Sequence, residues 1–334
     1  MKIVGVLPVY NEADILEQII SYMRQQQIPL IIIDDESNDG SLEIERRFLG
    51  AGVLEVRTVS HTPYHERKTL LTEAYRRALD YSPDWIVYHD ADEFLESPFP
   101  NTTLRDAIET VDKLGFNLIQ FDCFDFCLTE RDFNSPITDL RKRFRYYTWQ
   151  SDYYYRAWKN YPGIDIVTNA GHRPILPVGV EERVPAFKFA LRHYRFRSVE
   201  HGMKKVFKER LPRYDPKERA IGWHIHYDTM KPDANHFIIP SSKLSRYDEN
   251  GDWNRERKFD TSFGAWNQPT DYEHFTTATA FSSLSQELQR VSKKLEEIAP
   301  TQNARENRQQ QFDAIYQSPP VRLYLALKRR LGRL

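Results

Sequence analysis

The chain has 334 residues, a formal net charge of -1, 40% hydrophobic residues and 13% aromatic residues. That length holds one large domain with additions or two domains, and the composition is enough for a sizeable core. The near-neutral balance argues against a general nucleic-acid binder, which carries a basic excess. The two cysteines, Cys123 and Cys127, offer neither a disulfide framework nor a four-ligand zinc set.

The N-terminus runs from Met1 into polar Asn11-Glu12 too early for a signal peptide, and no apolar stretch approaches the roughly 20 residues that span a bilayer. The expectation is a cytoplasmic protein with two buried thiols, peripheral to the inner face of a membrane if it touches one.

The first hundred residues alternate strand and helix. Ile3 to Val9 reads as a short buried strand, and Asn11 as the cap of a helix on which Ile15, Ile19 and Met23 recur at helical spacing. Leu30 to Ile33 is a continuous apolar strand ending in Asp34-Asp35. Ser37 to Ser41 is a turn with a capping serine, followed by a helix from Leu42 to about Leu49. Val53 to Val59 reads as a third strand, Lys68 to Leu79 as a helix and Trp85 to His89 as a fourth strand. Continuous apolar strands separated by helices imply a parallel sheet covered on both faces, with ligands at the carboxyl ends of the strands. Three of those ends are polar: Tyr10-Asn11-Glu12, Asp34-Asp35 and Asp90-Ala91-Asp92. Carboxylates gathered at a strand end suit a hard divalent cation such as Mg2+ or Mn2+.

Further along, Asn117 to Phe126 and Phe187 to Tyr194 read as strands, the latter containing His193, and Trp223 to Tyr227 as another. Between them lies an Arg/aromatic stretch, 141–158. Tyr247 to Tyr272 is polar, Leu284 to Ile298 is an amphipathic helix, and Pro319 to Leu334 carries five basic residues and no acidic ones. That last segment suits an anionic membrane surface or a docked terminal helix with a solvated basic edge. The expected domains are a catalytic unit over 1–200, an acceptor-side extension over 201–280 and a helical tail over 281–334.

Three blocks in order, Leu7-Pro8-Val9-Tyr10-Asn11-Glu12, Asp34-Asp35-Glu36-Ser37-Asn38-Asp39-Gly40-Ser41 and His89-Asp90-Ala91-Asp92-Glu93-Phe94, resemble glycosyltransferase family 2. The likeness is close over the first hundred residues and looser to about residue 200. It implies a GT-A fold, an α/β Rossmann-like and mostly parallel sheet flanked by helices; the chain beyond it is expected to add a C-terminal α+β extension and terminal helices. It also implies a nucleotide-sugar donor, a divalent metal and transfer to an acceptor hydroxyl with inversion, of the kind that serves cell-surface polysaccharide or glycolipid synthesis.

Carried over position by position, the resemblance puts Pro8 and Tyr10 against the nucleotide base, Asp35 in a hydrogen bond to it, and Arg67 and Lys68 near the donor. Asp90 and Asp92 match the Asp-x-Asp motif, with Asp92 the sharper metal ligand and the carboxylate that assists the leaving diphosphate. The nucleotide-sugar-binding candidates are therefore Pro8, Tyr10, Asn11, Glu12, Asp35, Arg67, Lys68 and Asp90, and the metal candidates Asp90, Asp92 and His193. The glycine-rich segment common before the third helix is replaced here by His65-Glu66-Arg67-Lys68, and no clear Glu-Asp or Gln-x-x-Arg-Trp motif follows downstream.

The acceptor hydroxyl needs a general base. Asp125 is preferred over Asp122 and Asp165 because it stands where the fifth strand runs out toward the acceptor side. His172 reads as a loop residue. His224, His226 and Asp228 share one strand face, more in the manner of surface or acceptor-groove residues than of a second metal set. The acceptor is a saccharide, a lipid-linked group or a protein, and nucleic acid is not expected. Two alternatives stand beside this reading: a non-catalytic nucleotide-sugar-binding relative, and an RNA-binding protein using residues 141–158, whose aromatics and arginines could stack on bases but fit packing and acceptor contacts better.

Overall fold

Ile3–Val9 (β1) is buried along nearly its whole length because it has apolar partners on both faces and strands on both edges. The computed structural model describes residues 1–60, 67–99, 101–133, 135, 137–220 and 227–247. The expected features at His224 and His226, at 284–298 and at 319–334 lie outside the described residues, as does nearly all of the polar segment after Tyr247. In chain order β1 is followed by Ala13–Gln25 (α1), Leu30–Asp34 (β2), Ser41–Arg47 (α2), Val53–Thr58 (β3), Arg67–Leu79 (α3), Trp85–Tyr88 (β4) and Glu93–Glu96 (β5). Leu104–Lys113 (α4), Leu118–Phe126 (β6), Leu140–Arg143 (α5), Tyr146–Lys159 (β7) and Phe189–His193 (β8) come next. Val199–Met203 (α6) runs into a π-helix over Lys204–Arg210, and Pro216–Ala220 (α7) and the short strand Ser245–Arg246 (β9) close the described part.

The sheet runs β3-β2-β1-β4-β7-β6-β8-β5, with β9 paired to β7. Its first four strands are mutually parallel. β7 enters antiparallel between β4 and β6, and β8 lies parallel to β6. Helices cover both faces. Ile3, Leu7 and Val9 of β1 pack with Ile15, Ile19 and Met23 of α1 and with α4, while Val4 and Val6 face Leu70, Ala74 and Ala78 of α3 on the other side. This alternation along one apolar strand is what a sheet buried on both faces requires. The architecture is the α/β GT-A type expected from the sequence.

The expected helix caps differ in detail. Asn11 does not cap α1. It adopts a left-handed backbone (φ 55°) and its side chain accepts from the Asn38 N–H and donates to Glu209. The start of α1 is capped from the neighbouring loop, because the Ala13 N–H donates to Asp39 Oδ2 and the Glu12 N–H to Ser41 Oγ. Ser41, expected to cap its own helix, thus serves the next element over, and Gly40 (φ 101°) occupies the cap position of α2. Two elements not named from the sequence are seen first in the fold: β5, only four residues long, and α4, which buries Leu104, Ala107, Ile108 and Val111 at helical spacing and whose Thr103 cap accepts from the Asp106 N–H.

The stretch 141–158 is mostly strand. Tyr147, Trp149, Tyr154, Tyr155, Arg156 and Trp158 are buried, so these side chains pack within the sheet and are not offered as a platform for bases. No described helix is long and apolar enough to cross a membrane.

Candidate active site

At the carboxyl ends of β1 and β4 a cavity of about 380 Å³ opens. Pro8, Tyr10 and Glu12 line it from the end of β1, and Asp90, Asp92 and Glu93 from the β4–β5 turn. Arg67 lines it from the start of α3, His193 from the end of β8, and Lys205, Arg210, Tyr214 and Tyr227 from chain beyond residue 200. Asn11, Asp35, Lys68 and Asp125 stand outside its wall. Asn11 braces the loop as described. Asp125 lies directly behind His193. Lys68 lines a separate groove with Arg57, Thr58 and Thr72.

Asp35 is fully buried at the end of β2, where its N–H donates to the Val9 carbonyl. Arg213 stands 3.7 Å from its carboxylate and lies over the Tyr10 ring, 4.1 Å from the centroid. Tyr10, on the cavity wall, thus carries Arg213 against its ring, and Asp35 stands buried behind Arg213 as its counter-charge.

The two aspartates of the motif face different partners. Asp90 accepts from Arg67 (3.1 Å), Arg156 (3.0 Å) and the Tyr88 hydroxyl (2.9 Å). Burial opposes its charge, but the two guanidiniums outweigh it and hold the carboxyl well below the usual range. Glu93 also pairs with Arg156 and accepts from the Asp90 N–H, which pins the turn. Burial pushes the Glu93 carboxyl up to about 7 against the pull of Arg156.

Asp92 turns the other way. Its Oδ2 accepts from Lys205 Nζ at 2.7 Å and lies 3.4 Å from His193 Nε2. His193 Nδ1 is 2.6 Å from Asp125 Oδ1, and Asp125 Oδ2 accepts from Arg195 at 3.2 Å. Burial disfavours charge on the imidazole, yet Asp92 and Asp125 outweigh it and raise the His193 pKa well above its ordinary value. Asp125 is held below the usual carboxylate range, since Arg195 and His193 overcome its burial.

Glu12 completes this half of the site. It is buried and takes Lys205 Nζ at 2.9 Å on one oxygen and Arg197 on the other, and Arg197 also binds Asp14.

Can these residues hold a divalent ion? A carboxylate oxygen and an imidazole nitrogen facing each other across 3.4 Å, on the wall of a polar cavity, form a donor pair suited to Mn2+ or Mg2+ once the imidazole, charged beside Asp92 and Asp125, gives up its Nε2 proton. Two further groupings bring their donor atoms within 4.8 Å of one another: Cys123, Asp125 and His193, and Glu12, Asp14 and His201. In the first of these, burial pushes the Cys123 thiol up to about 12, so it stays protonated and donates poorly. Asp90 is less suited than Asp92, because both its oxygens already receive guanidinium donors.

The other two base candidates, Asp165 and Asp122, face elsewhere. Asp165 accepts from the N–H groups of Val167 and Thr168 and caps its own loop. Asp122 is fully buried with Lys188 3.9 Å away. His172 lines the cavity beside Tyr154, and burial, then Arg156 and Arg67, keeps its imidazole neutral. Arg195 and Arg197 stand in the basic segment around His193 that the sequence does present, whereas Lys205, Arg210 and Arg213 are the site residues that sequence reasoning missed. The one signal they leave is the density of basic residues between 192 and 213.

A GT-A fold with an Asp-x-Asp turn at the sheet mouth, in one cavity with Tyr10, defines the class of nucleotide-sugar transferases. The family model for glycosyl transferase family 2 matches residues 6–175, and the chain belongs to that family. Membership implies a nucleotide-sugar donor and an acceptor, and members commonly use a divalent metal. None of the curated proteins matches the sequence. Among solved structures, a 4-diphosphocytidyl-2C-methyl-D-erythritol synthase aligns at 11% identity over 51% of this chain and 76% of its own, with a TM-score of 0.28. The 4-diphosphocytidyl-2C-methyl-D-erythritolsynthase of Anaerococcus prevotii aligns at 15% identity over 47% and 70%, with a TM-score of 0.27. A mannose-1-phosphate geranyltransferase of Thermus thermophilus aligns at 11% identity over 74% and 72%, with a TM-score of 0.24. Likenesses this slight carry no weight for the activity.

Proposed function

We propose that this protein is a metal-dependent, inverting glycosyltransferase that moves a sugar from a nucleoside-diphosphate sugar to an acceptor hydroxyl. The observation that carries the reading is the facing of Asp92 Oδ2 and His193 Nε2, 3.4 Å apart, in the same cavity as Tyr10. In this scheme Tyr10 and Pro8 take the face of the base, with Arg213 at its edge and Asp35, buried behind, holding Arg213. Asp92 and His193 hold the ion, which when bound neutralises charge on the leaving diphosphate. Arg210 and Lys205, on the wall beside Asp92, supply further charge-assisted donors to the phosphates. Asp90, held by Arg67 and Arg156, sets the shape of the turn that presents Asp92.

Asp125 acts on His193 rather than on the acceptor: both its oxygens are engaged, and its lowered pKa makes it a weak proton acceptor. The catalytic unit extends past residue 200, since Lys205, Arg210 and Tyr214 belong to the cavity wall. The acceptor is a saccharide, a lipid-linked group or a protein side chain.

A thermal-shift screen of UDP-, GDP- and dTDP-sugars with and without Mn2+, repeated on Asp92→Ala, tests the reading. Stabilisation that needs donor, metal and Asp92 together supports it. Equal stabilisation of the variant removes Asp92 from the metal site. Binding without turnover against any acceptor points to a non-catalytic relative.

A further inference from the structure

The oxygen of Asp92 that faces His193 is already occupied. Lys205 Nζ donates to that same Oδ2 at 2.7 Å and to Glu12 Oε1 at 2.9 Å. A divalent ion joining Asp92 Oδ2 to His193 Nε2 would sit beside a buried ammonium, where like charges repel strongly because little water screens them. Ion and ammonium therefore compete for the oxygen.

We propose that Lys205 gates the metal position: in the donor-free protein its ammonium holds Asp92, and the ion is admitted only when the diphosphate of the donor draws the ammonium away. The proposal rests on the metal-dependent reading above. Three features of the site make the exchange inexpensive. Glu12 keeps Arg197 on its other oxygen, so Lys205 can release Asp92 while remaining paired to Glu12. Both Lys205 and Asp92 line the cavity, so a diphosphate entering it meets the ammonium directly. Lys205 lies on the π-helix Lys204–Arg210, a geometry that is rare and concentrates at functional sites, where its wider turn re-aims side chains. The consequence is ordered binding: nucleotide and metal reinforce each other, and metal alone binds poorly. By linkage, the factor by which the nucleotide tightens metal binding equals the factor by which metal tightens nucleotide binding.

The test counts bound Mn2+ by electron paramagnetic resonance of the free ion, on the full chain, with Mn2+ alone and with Mn2+ plus UDP, GDP or dTDP. For Lys205→Met the expected result is Mn2+ binding without nucleotide at least about tenfold tighter than in the unmodified protein, with most of the nucleotide enhancement lost. Lys205→Gln, which keeps a hydrogen-bonding group between Glu12 and Asp92, carries the same expectation if the methionine variant does not fold. Equal or weaker Mn2+ affinity in the folded variants overturns the gate while leaving the metal site in place. No Mn2+ binding by any form, with or without nucleotide, removes the metal site and the gate together. Asp92→Asn in the Lys205→Met background should abolish the gained binding, and persistence of that binding would place the ion elsewhere and overturn the proposal.

Discussion

His193 and Asp125 are directly paired in register across the parallel strands β8 and β6, and their side chains meet at 2.6 Å between Nδ1 and Oδ1. The contact fixes the ring so that Nε2 points at Asp92, the arrangement by which a carboxylate behind a histidine orients a metal ligand.

Asp125→Asn separates a positioning role from a base role. Loss of the carboxylate should weaken Mn2+ binding about 10- to 100-fold in the presence of nucleotide, as removal of such partners does elsewhere. Binding of nucleotide without metal should be unchanged. Calorimetric titration of Mn2+ into the nucleotide complex reads this directly, and unchanged Mn2+ affinity with collapsed turnover would restore Asp125 as the base.

Tyr10→Ala removes the ring proposed to take the face of the base. Stacking on an aromatic side chain contributes about 1–3 kcal/mol per base, so nucleoside diphosphate affinity should fall about 5- to 150-fold. Pyrophosphate, which lacks a base, should bind the variant as it binds the unmodified protein. Parallel titrations of the two ligands check this, and an equal loss for both would move the base away from Tyr10.

Glu45 is buried in α2 near Asp34, and burial first, then the Asp34 charge, pushes its carboxyl up to about 9 from an ordinary value of 4.5. The folded protein therefore holds a proton that the unfolded chain releases at lower pH. This stabilisation is fully present below about pH 4.5 and is lost progressively as the pH rises to about 9. Glu45→Gln keeps the shape without the ionisation. Its stability relative to the unmodified protein should rise between pH 5 and pH 9, as read by urea unfolding at about three pH values across that window. A difference independent of pH would show that Glu45 titrates normally.

Gly171 bridges the cavity wall to α3. It adopts φ 79°, and an added Cβ would lie 2.9 Å from the Tyr88 ring and 3.0 Å from Leu71 Cδ2. Gly171→Ala should cost about 1–3 kcal/mol in stability, from the left-handed backbone and from overpacking. Displacement of the Tyr88 hydroxyl, which donates to Asp90, should also weaken nucleotide binding. Unfolding midpoints and nucleotide titration measure the two effects separately.

The parallel half of the sheet was legible because β1, β2 and β4 are unbroken apolar runs and α1 and α3 repeat their apolar residues at helical spacing. Patterns of that kind are local, since a strand covered on both faces must be apolar whatever covers it. The same holds for the polar strand ends, which pointed to the mouth of the sheet before any contact was known. β5 and the caps of α1 and α2 were not legible in this way. A four-residue strand has no measurable period, and Ala13 is capped by Asp39 from another loop, a partner no local rule supplies.

The site divides along the same line. Tyr10, Asp90 and Asp92 stand in short motifs whose residue types and spacing announce their chemistry. Which aspartate faces the metal position is a matter of partners brought in from far along the chain: Arg156 for Asp90, and Lys205, 113 residues from Asp92, for the other. Charge in a buried site is set by the sum of every ionised group within a few ångströms, and that sum exists only after the π-helix and β8 have packed against the turn. Local order along the chain thus specified the sheet and its acidic mouth, whereas long-range packing assigned each carboxylate its counter-charge, because electrostatic pairing depends on distance in space and leaves no period in the sequence.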